Sequence, residues 1–232
     1  MALIVRIDVD RPYGKQPVFR HVLSRMSSDL CFPNINAFGY LRELEVMLRI
    51  LTERGAHAYV FFRRCTMPSP SVLRLLEIGG HEAGLHLEDS RSFRTFLEER
   101  NNLERHLGKK VLAVSKHGSG GAKYGYHHHA PYEPDRYVAW ARQAGMRLFL
   151  GNLEDPFLEP EHDGDRFTSF PSAFWLEPHW RDLERFTVED LVCRAKERDI
   201  VLLVHPENVL ENPELAGTFA GLASDMETKI LP

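Results

Sequence analysis

The chain has 232 residues, 43% hydrophobic and 27% charged, a composition that excludes a disordered or fibrous protein and fits one large domain over residues 1–232. Lys and Arg number 29 against 33 Asp and Glu, a formal charge of −4, which argues against a general nucleic-acid or anionic-membrane binder. No run approaches the roughly 18 apolar residues of a membrane span, and the three cysteines, Cys31, Cys65 and Cys193, form neither a disulfide framework nor a CxxC pair.

The opening, MALIVRIDVD, is too short and too quickly acidic for a signal peptide, so residues 2–9 read as the first strand of a cytoplasmic protein. Its alternation is informative. Leu3, Val5, Ile7 and Val9 share one face, and Arg6, Asp8 and Asp10 share the other. A helix is expected over 36–54, with Leu41, Leu44, Leu48 and Leu51 as its buried stripe, Asn36 as its cap and Gly55 as its C′ residue. Residues 57–63 form the second strand. Pro68-Ser69-Pro70-Ser71 opens a helix that Gly79-Gly80 ends. An extended piece over 81–88 leads into a helix at 92–107, stopped by Gly108, and 111–117 is the fourth strand.

Residues 118–132, rich in Gly, His, Tyr and Pro, form a loop of the length that is usually functional. Glu133-Pro134 begins a helix ending at Gly145, and 147–151 is the fifth strand. An aromatic excursion over 152–180 holds one strand at 166–174. Thr187 caps a helix to about 198, IVLLVH (200–205) is the seventh strand, and a polar helix closes the chain. Strands alternating with helices imply a parallel sheet covered by helices. The three charges on one face of the first strand favour a barrel, whose C-terminal mouth gives them a polar place to point.

Unusual residues gather at the C-terminal ends of the predicted strands, where parallel α/β folds build their sites: Asp8 and Asp10, His86 and Glu88, Lys116 and His117, and His205. Two carboxylates on one strand face repel unless a cation neutralises them, which assigns one as a ligand and one as a base. In an extended GHEAGLHLE (80–88), His86 and Glu88 share a face and can grip one ion together. Imidazole with carboxylates suits Zn²⁺ or a related divalent metal. His81 reads as a buried support residue. The Lys116 ammonium is placed to steer a carboxylate, and Gly118 and Gly120 let backbone N–H groups approach a ligand. His127-His128-His129 cannot all turn to one ion from an extended chain, so a place on the surface or substrate rim is expected. His205, at the end of a buried strand, is a natural proton donor. Trp175 and Trp180, with Phe170 and Phe174, are candidates for a sugar-stacking wall.

These positions, in this order, resemble the NodB-homology polysaccharide deacetylases, carbohydrate esterase family 4. IDVD (7–10) is similar to that family's first motif, which implies Asp8 as base and Asp10 as metal ligand. GHEAGLH resembles the lead-in of the second motif, with His86 at its first metal histidine. KHGSG (116–120) lies where the family has Arg-x-Pro-aromatic-Gly, with Lys116 in place of the arginine. LLVH (202–205) matches the closing Leu-x-x-His, whose histidine donates a proton. The likeness spans nearly the whole chain, and the subgroup from O-antigen and other surface-polysaccharide gene clusters is the nearest in kind. The family's second metal histidine falls at Ser90, a poor ligand; Glu88 is the expected replacement, with Asp89 and His117 in reserve.

The resemblance implies a distorted (β/α)7 barrel and a metal-dependent hydrolase that removes an N-acetyl group from a sugar, on a polysaccharide or its nucleotide- or lipid-linked precursor. Asp10, His86 and Glu88 would hold the metal, Zn²⁺ first, with Mn²⁺, Co²⁺ and Ni²⁺ as alternatives. Asp8, His205 and Lys116 would be catalytic, and His117, Gly118 and Trp180 would meet the substrate. Two rival readings are a non-catalytic barrel that binds a sugar or a partner, and an amidohydrolase that cuts a formyl or cyclic-imide bond instead.

Overall fold

A computed structural model describes residues 1–10, 18–19, 22–23, 26, 30, 40–123, 125–164, 166–178 and 181–231. The elements in chain order are β1 (Leu3–Val9), α1 (Tyr40–Glu53), β2 (Ala58–Phe62), α2 (Pro70–Gly79), β3 (Glu82–Leu87), α3 (Phe93–Leu107), β4 (Ala113–Lys116), α4 (Pro134–Gln143) and β5 (Leu148–Leu153). They continue with β6 (Glu161–Asp163), β7 (Phe167–Ser172), β8 (Phe174–Trp175), α5 (Val188–Ala195), β9 (Ile200–Val204), α6 (Pro206–Leu210) and α7 (Pro213–Asp225). Among the described residues nine strands form one sheet in the order β6-β7-β5-β4-β3-β2-β1-β9-β8. Every pairing is parallel except β6 with β7. The sheet curls into a half-barrel with helices outside, the α/β barrel-like architecture that the alternation of β1 foretells. β6 and β8, of three and two residues, raise the expected seven strands to nine. Asn36, the expected cap of the first helix, lies outside the described residues.

Period-two alternation sorts the strands into two cores. Leu3, Val5, Ile7 and Val9 of β1 join Leu41, Leu44, Leu48 and Leu51 of α1 in the sheet–helix core, together with Val60, Phe62, Leu85, Leu87, Leu202 and Val204. The alternate residues Ile4, Tyr59, Phe61, Ala113, Leu148, Leu150, Val201 and Leu203 fill the inside of the curl. Gly84 shows how tight the inside is, since a Cβ there would lie 2.4 Å from the Phe61 ring. The helix starts at Ser69 and Thr187 are expected from the sequence, and the cap at Ser92 is an addition. Ser69 precedes Pro70 at the start of α2, Ser92 forms a capping box with Thr95 on α3, and Thr187 forms one with Asp190 on α5. At the lower end of the barrel Leu231 exchanges hydrogen bonds with the Tyr59 hydroxyl, which fastens this segment to the base. Among the described residues no helix is long and apolar enough to cross a membrane.

Candidate metal centre

The same alternation that puts hydrophobic residues inside the lower barrel puts polar ones inside its upper end. Arg6 and Asp8 follow Ile4 on the inner face of β1, His86 follows Gly84 on β3, and Ser115 follows Ala113 on β4. His117 lies one residue past the end of β4 and His205 one past the end of β9, both in inward phase. Register then aligns them. β1 pairs Val9 with Phe62, β2 pairs Phe62 with Leu85, and β3 pairs His86 with Ser115; continued by one residue, this sets Asp10, Arg63, His86 and Ser115 at one level. Together they open into a cleft of about 320 Å³ with Gly118, Ser119, Asn152, Trp175 and Asn208 on its walls.

Three side chains converge at the floor. Asp10 Oδ1 lies 3.4 Å from His86 Nε2 and 3.1 Å from His117 Nδ1, and the two ring nitrogens are 3.3 Å apart. Four ligands at 2.0–2.1 Å around a tetrahedral Zn²⁺ stand about 3.3 Å from one another. The triangle has the edges of one face of such a tetrahedron. Asp10 Oδ1 is buried and, among the described residues, its only close polar neighbours are the two imidazoles and Arg63, as for an oxygen kept for a cation. Burial opposes ionisation of Asp10, but His117 and His86 beside it outweigh that and hold its carboxyl well below the usual range. Burial first, then the Arg63 guanidinium, pushes His117 down to about 3. Behind the triangle, His86 Nδ1 meets Ser115 Oγ at 2.7 Å, which directs Nε2 inward. The donor set therefore fits a divalent metal, which Asp10, His86 and His117 would hold.

Around this triangle the charges are paired. Arg6 grips Asp8 with two hydrogen bonds, Nε to Oδ1 at 2.9 Å and Nη2 to Oδ2 at 2.6 Å. Its remaining nitrogen donates to the carbonyls of Leu150 and Gly151 and to Asn152 Oδ1. Glu177 accepts from the His205 backbone and meets its Nδ1, both at 2.8 Å. Burial alone would lower the His205 pKa; the Glu177 carboxylate, helped by Asp10 and Asp8, raises it to about 9, so the ring is a cation at neutral pH. Its Nε2 points toward Asp10 Oδ2 at 3.6 Å, on the cleft side.

Asp8, Asp10, His86, Lys116, His117, Gly118 and His205 all line the cleft. Glu88 is not in the triangle. It follows the last residue of β3, and its carboxylate is taken by Arg63 at the end of β2, so His117, which sequence reasoning set at the substrate and held in reserve as a ligand, stands where Glu88 was expected. Lys116 pairs in register with Leu87, whose side chain faces the helices, so it does not reach Asp8. Its Nζ donates instead to the His117 carbonyl at 2.7 Å, and burial lowers its pKa to about 8. The carboxylate of Asp8 is held instead by Arg6, two residues before it on the same strand face. Ser90 is buried and bonded to His129 and Tyr137. Of the histidine run, His128 is not at the rim but buried, its Nε2 against the His117 carbonyl at 2.8 Å. Phe170 and Phe174 are core, Trp175 tilts over the His205 ring at 5.6 Å, and Trp180 lies outside the described residues. Arg6 was visible in the alternation of β1; Glu177 carries no local signal, because its partner is 28 residues away.

No family model and no curated protein matches the chain. Among solved structures, the crystal structure of PuuE allantoinase superposes with a TM-score of 0.58 over 95% of this chain and 82% of that one, at 14% identity. The chain shares its fold with an allantoinase. A CE4 family pseudoenzyme from Bacillus anthracis, BA3943, matches over 98% of this chain and 62% of its own, at 14% identity and a TM-score of 0.46. A mutant of BA3943 with restored enzymatic activity matches at 0.47 and 13% identity, over 97% of this chain and 61% of that one.

Proposed function

We propose that the chain is a metal-dependent hydrolase of an N-acyl amine, with an acetamido sugar as its substrate and Asp10, His86 and His117 as its metal ligands. The observation that carries the reading is the 3.1–3.4 Å triangle of one carboxylate oxygen and two imidazole nitrogens at the cleft floor. A divalent ion there, Zn²⁺ or one of Mn²⁺, Co²⁺ and Ni²⁺, supplies Lewis acidity, the means of making water nucleophilic near neutral pH.

The chain's own residues supply the rest. Asp8, fixed in orientation by the two-point grip of Arg6, takes a proton from the attacking water. His205 enters as a cation, kept so by Glu177, and gives its Nε2 proton to the departing amine. Trp175 offers a flat apolar wall beside that proton donor, suited to one face of a sugar ring. A cleft of about 320 Å³ is at the small end of ligand sites and suits a single acylated unit, such as a nucleotide- or lipid-linked precursor of a surface polysaccharide met in the cytoplasm.

The test is acetate release from UDP-linked and lipid-linked acetamido sugars by purified protein supplied with each metal in turn. Release that disappears in Asp8→Asn and His205→Ala, with folding intact, is expected. Sugar binding without release under any metal would make the chain a binding protein. A second reading takes its substrate from the allantoinase likeness: a cyclic amide opened by the same residues, which allantoin in the same assay would reveal.

A further inference from the structure

Asp10 has a second neighbour besides the two imidazoles. Arg63, the residue after β2, is fully buried, and its Nη1 stands 3.6 Å from the same Asp10 Oδ1 that faces His86 and His117. A buried guanidinium at that distance competes with any divalent ion for one oxygen. Coulomb repulsion between the two cations is less screened there than between surface charges, because Arg63 is fully buried. Left alone, Arg63 would make the triangle a poor cation site.

It is not left alone. Glu88, buried to the same degree, forms an ion pair with Arg63 Nη2. Burial opposes ionisation of Glu88, and the guanidinium outweighs it and lowers the carboxyl pKa. The backbone of that carboxylate is held from behind, where Glu99 of α3 accepts the N–H groups of Glu88 and Asp89 at 2.9 and 2.8 Å. Among the described residues Arg63 thus lies between two carboxylates, one that would hold a metal and one that would not.

We propose that the Arg63–Glu88 pair sets how tightly the Asp10–His86–His117 cluster holds a divalent cation, with Arg63 as the opposing charge and Glu88 as its counterweight. This inference rests on the metal-centre reading above. Both are positioning residues in this account: neither is a ligand, and the balance of their charges decides how much of the Asp10 carboxylate is available.

The experiment measures Co²⁺ affinity and the visible d–d spectrum for wild type, Arg63→Gln, Glu88→Gln and the double variant. Arg63→Gln removes the opposing charge and is expected to tighten binding about tenfold or more; Glu88→Gln exposes the guanidinium and is expected to weaken it by a similar factor. The double variant carries neither charge and returns to within a few-fold of wild type. All four spectra keep one shape, because the ligands do not change. Glu88→Gln leaves a buried charge and is the variant most prone to unfold, which circular dichroism of the metal-free protein reports. In that event Arg63→Gln against the charge-neutral double variant still decides the matter.

A double variant that binds as weakly as Glu88→Gln, with an altered spectrum, would make Glu88 a ligand and overturn the proposal. So would Arg63→Gln binding no tighter than wild type. Failure of every protein, wild type included, to take up Co²⁺ is a different result, and strikes at the metal centre itself.

Discussion

The two ends of the barrel differ in a way that separates size from chemistry. The lower end opens into a cavity of about 1010 Å³, roughly three times the upper cleft of about 320 Å³. Its charges, Lys110, Arg147 and Arg166 among them, are exposed, and its ion pairs, such as Lys109 with Glu82, are in solvent. Such pairs are worth about 1 kcal/mol or less. The upper end holds Arg6 with Asp8, Arg63 with Glu88 and His205 with Glu177, all deep in the protein. Buried pairs cost several kcal/mol of desolvation per ion, and apolar replacements are often as stable or more so. A fold that, among the described residues, carries three of them at one end and none on its larger cavity is arranged there for something other than stability.

The sharpest way to break this contrast is to remove one group from the upper end. Asp8→Asn is expected to lower acetate release by a factor on the order of 10²–10⁴ while leaving Co²⁺ affinity within a few-fold. A loss of metal together with activity would show that Asp8 belongs to the ligand set. Arg6→Met leaves Asp8 buried without its partner, along with the carbonyls of Leu150 and Gly151. Urea denaturation should show a loss of about 3–5 kcal/mol; a loss below about 1 kcal/mol would mean that the clamp is not part of the folded state.

A titratable group away from the cleft gives a smaller effect with a definite sign. His81, just before β3, is buried; its Nδ1 accepts the Ala58 N–H at 3.2 Å, which leaves the proton on Nε2 toward Thr52 Oγ1. Burial, then the nearby His57, lowers its pKa to about 4, against about 6.5 in the unfolded chain. The fold favours the neutral ring, so this stabilisation is full above pH 6.5 and is lost as pH falls toward 4, by about 3 kcal/mol at most. His81→Gln should flatten that part of the stability curve, and an unchanged slope between pH 6.5 and 4 would refute the assignment. The least effect belongs to the lower cavity. Arg147→Ala and Arg166→Ala should leave turnover unchanged and stability within about 0.5 kcal/mol; a fall in acetate release would tie the lower end to the reaction.

The architecture was legible because alternation on β1 is nearly ideal, with four aliphatic residues outward and Arg6, Asp8 and Asp10 inward. The same rule carried to β3 and β9 turns His86 and His205 inward. Carried to β4 it sets Lys116 outward, opposite to the role its motif position implied. Glu88 shows the limit of a single-strand argument. Its face was inferable, but the competitor for its carboxylate sits on the neighbouring strand, and only register brings Arg63 alongside. Glu177 was invisible for the same reason, since it acts on a histidine 28 residues on. β6 and β8, three and two residues long, are too short for alternation to declare itself.

Anomalous diffraction at the zinc absorption edge, from crystals grown with Zn²⁺, tests the central claim most directly. The account predicts one strong peak in the cleft, within bonding distance of Asp10 Oδ1, His86 Nε2 and His117 Nδ1, with Glu88 still paired to Arg63. An empty cleft at saturating Zn²⁺, or a peak held by Glu88 with His117 turned away, would contradict it.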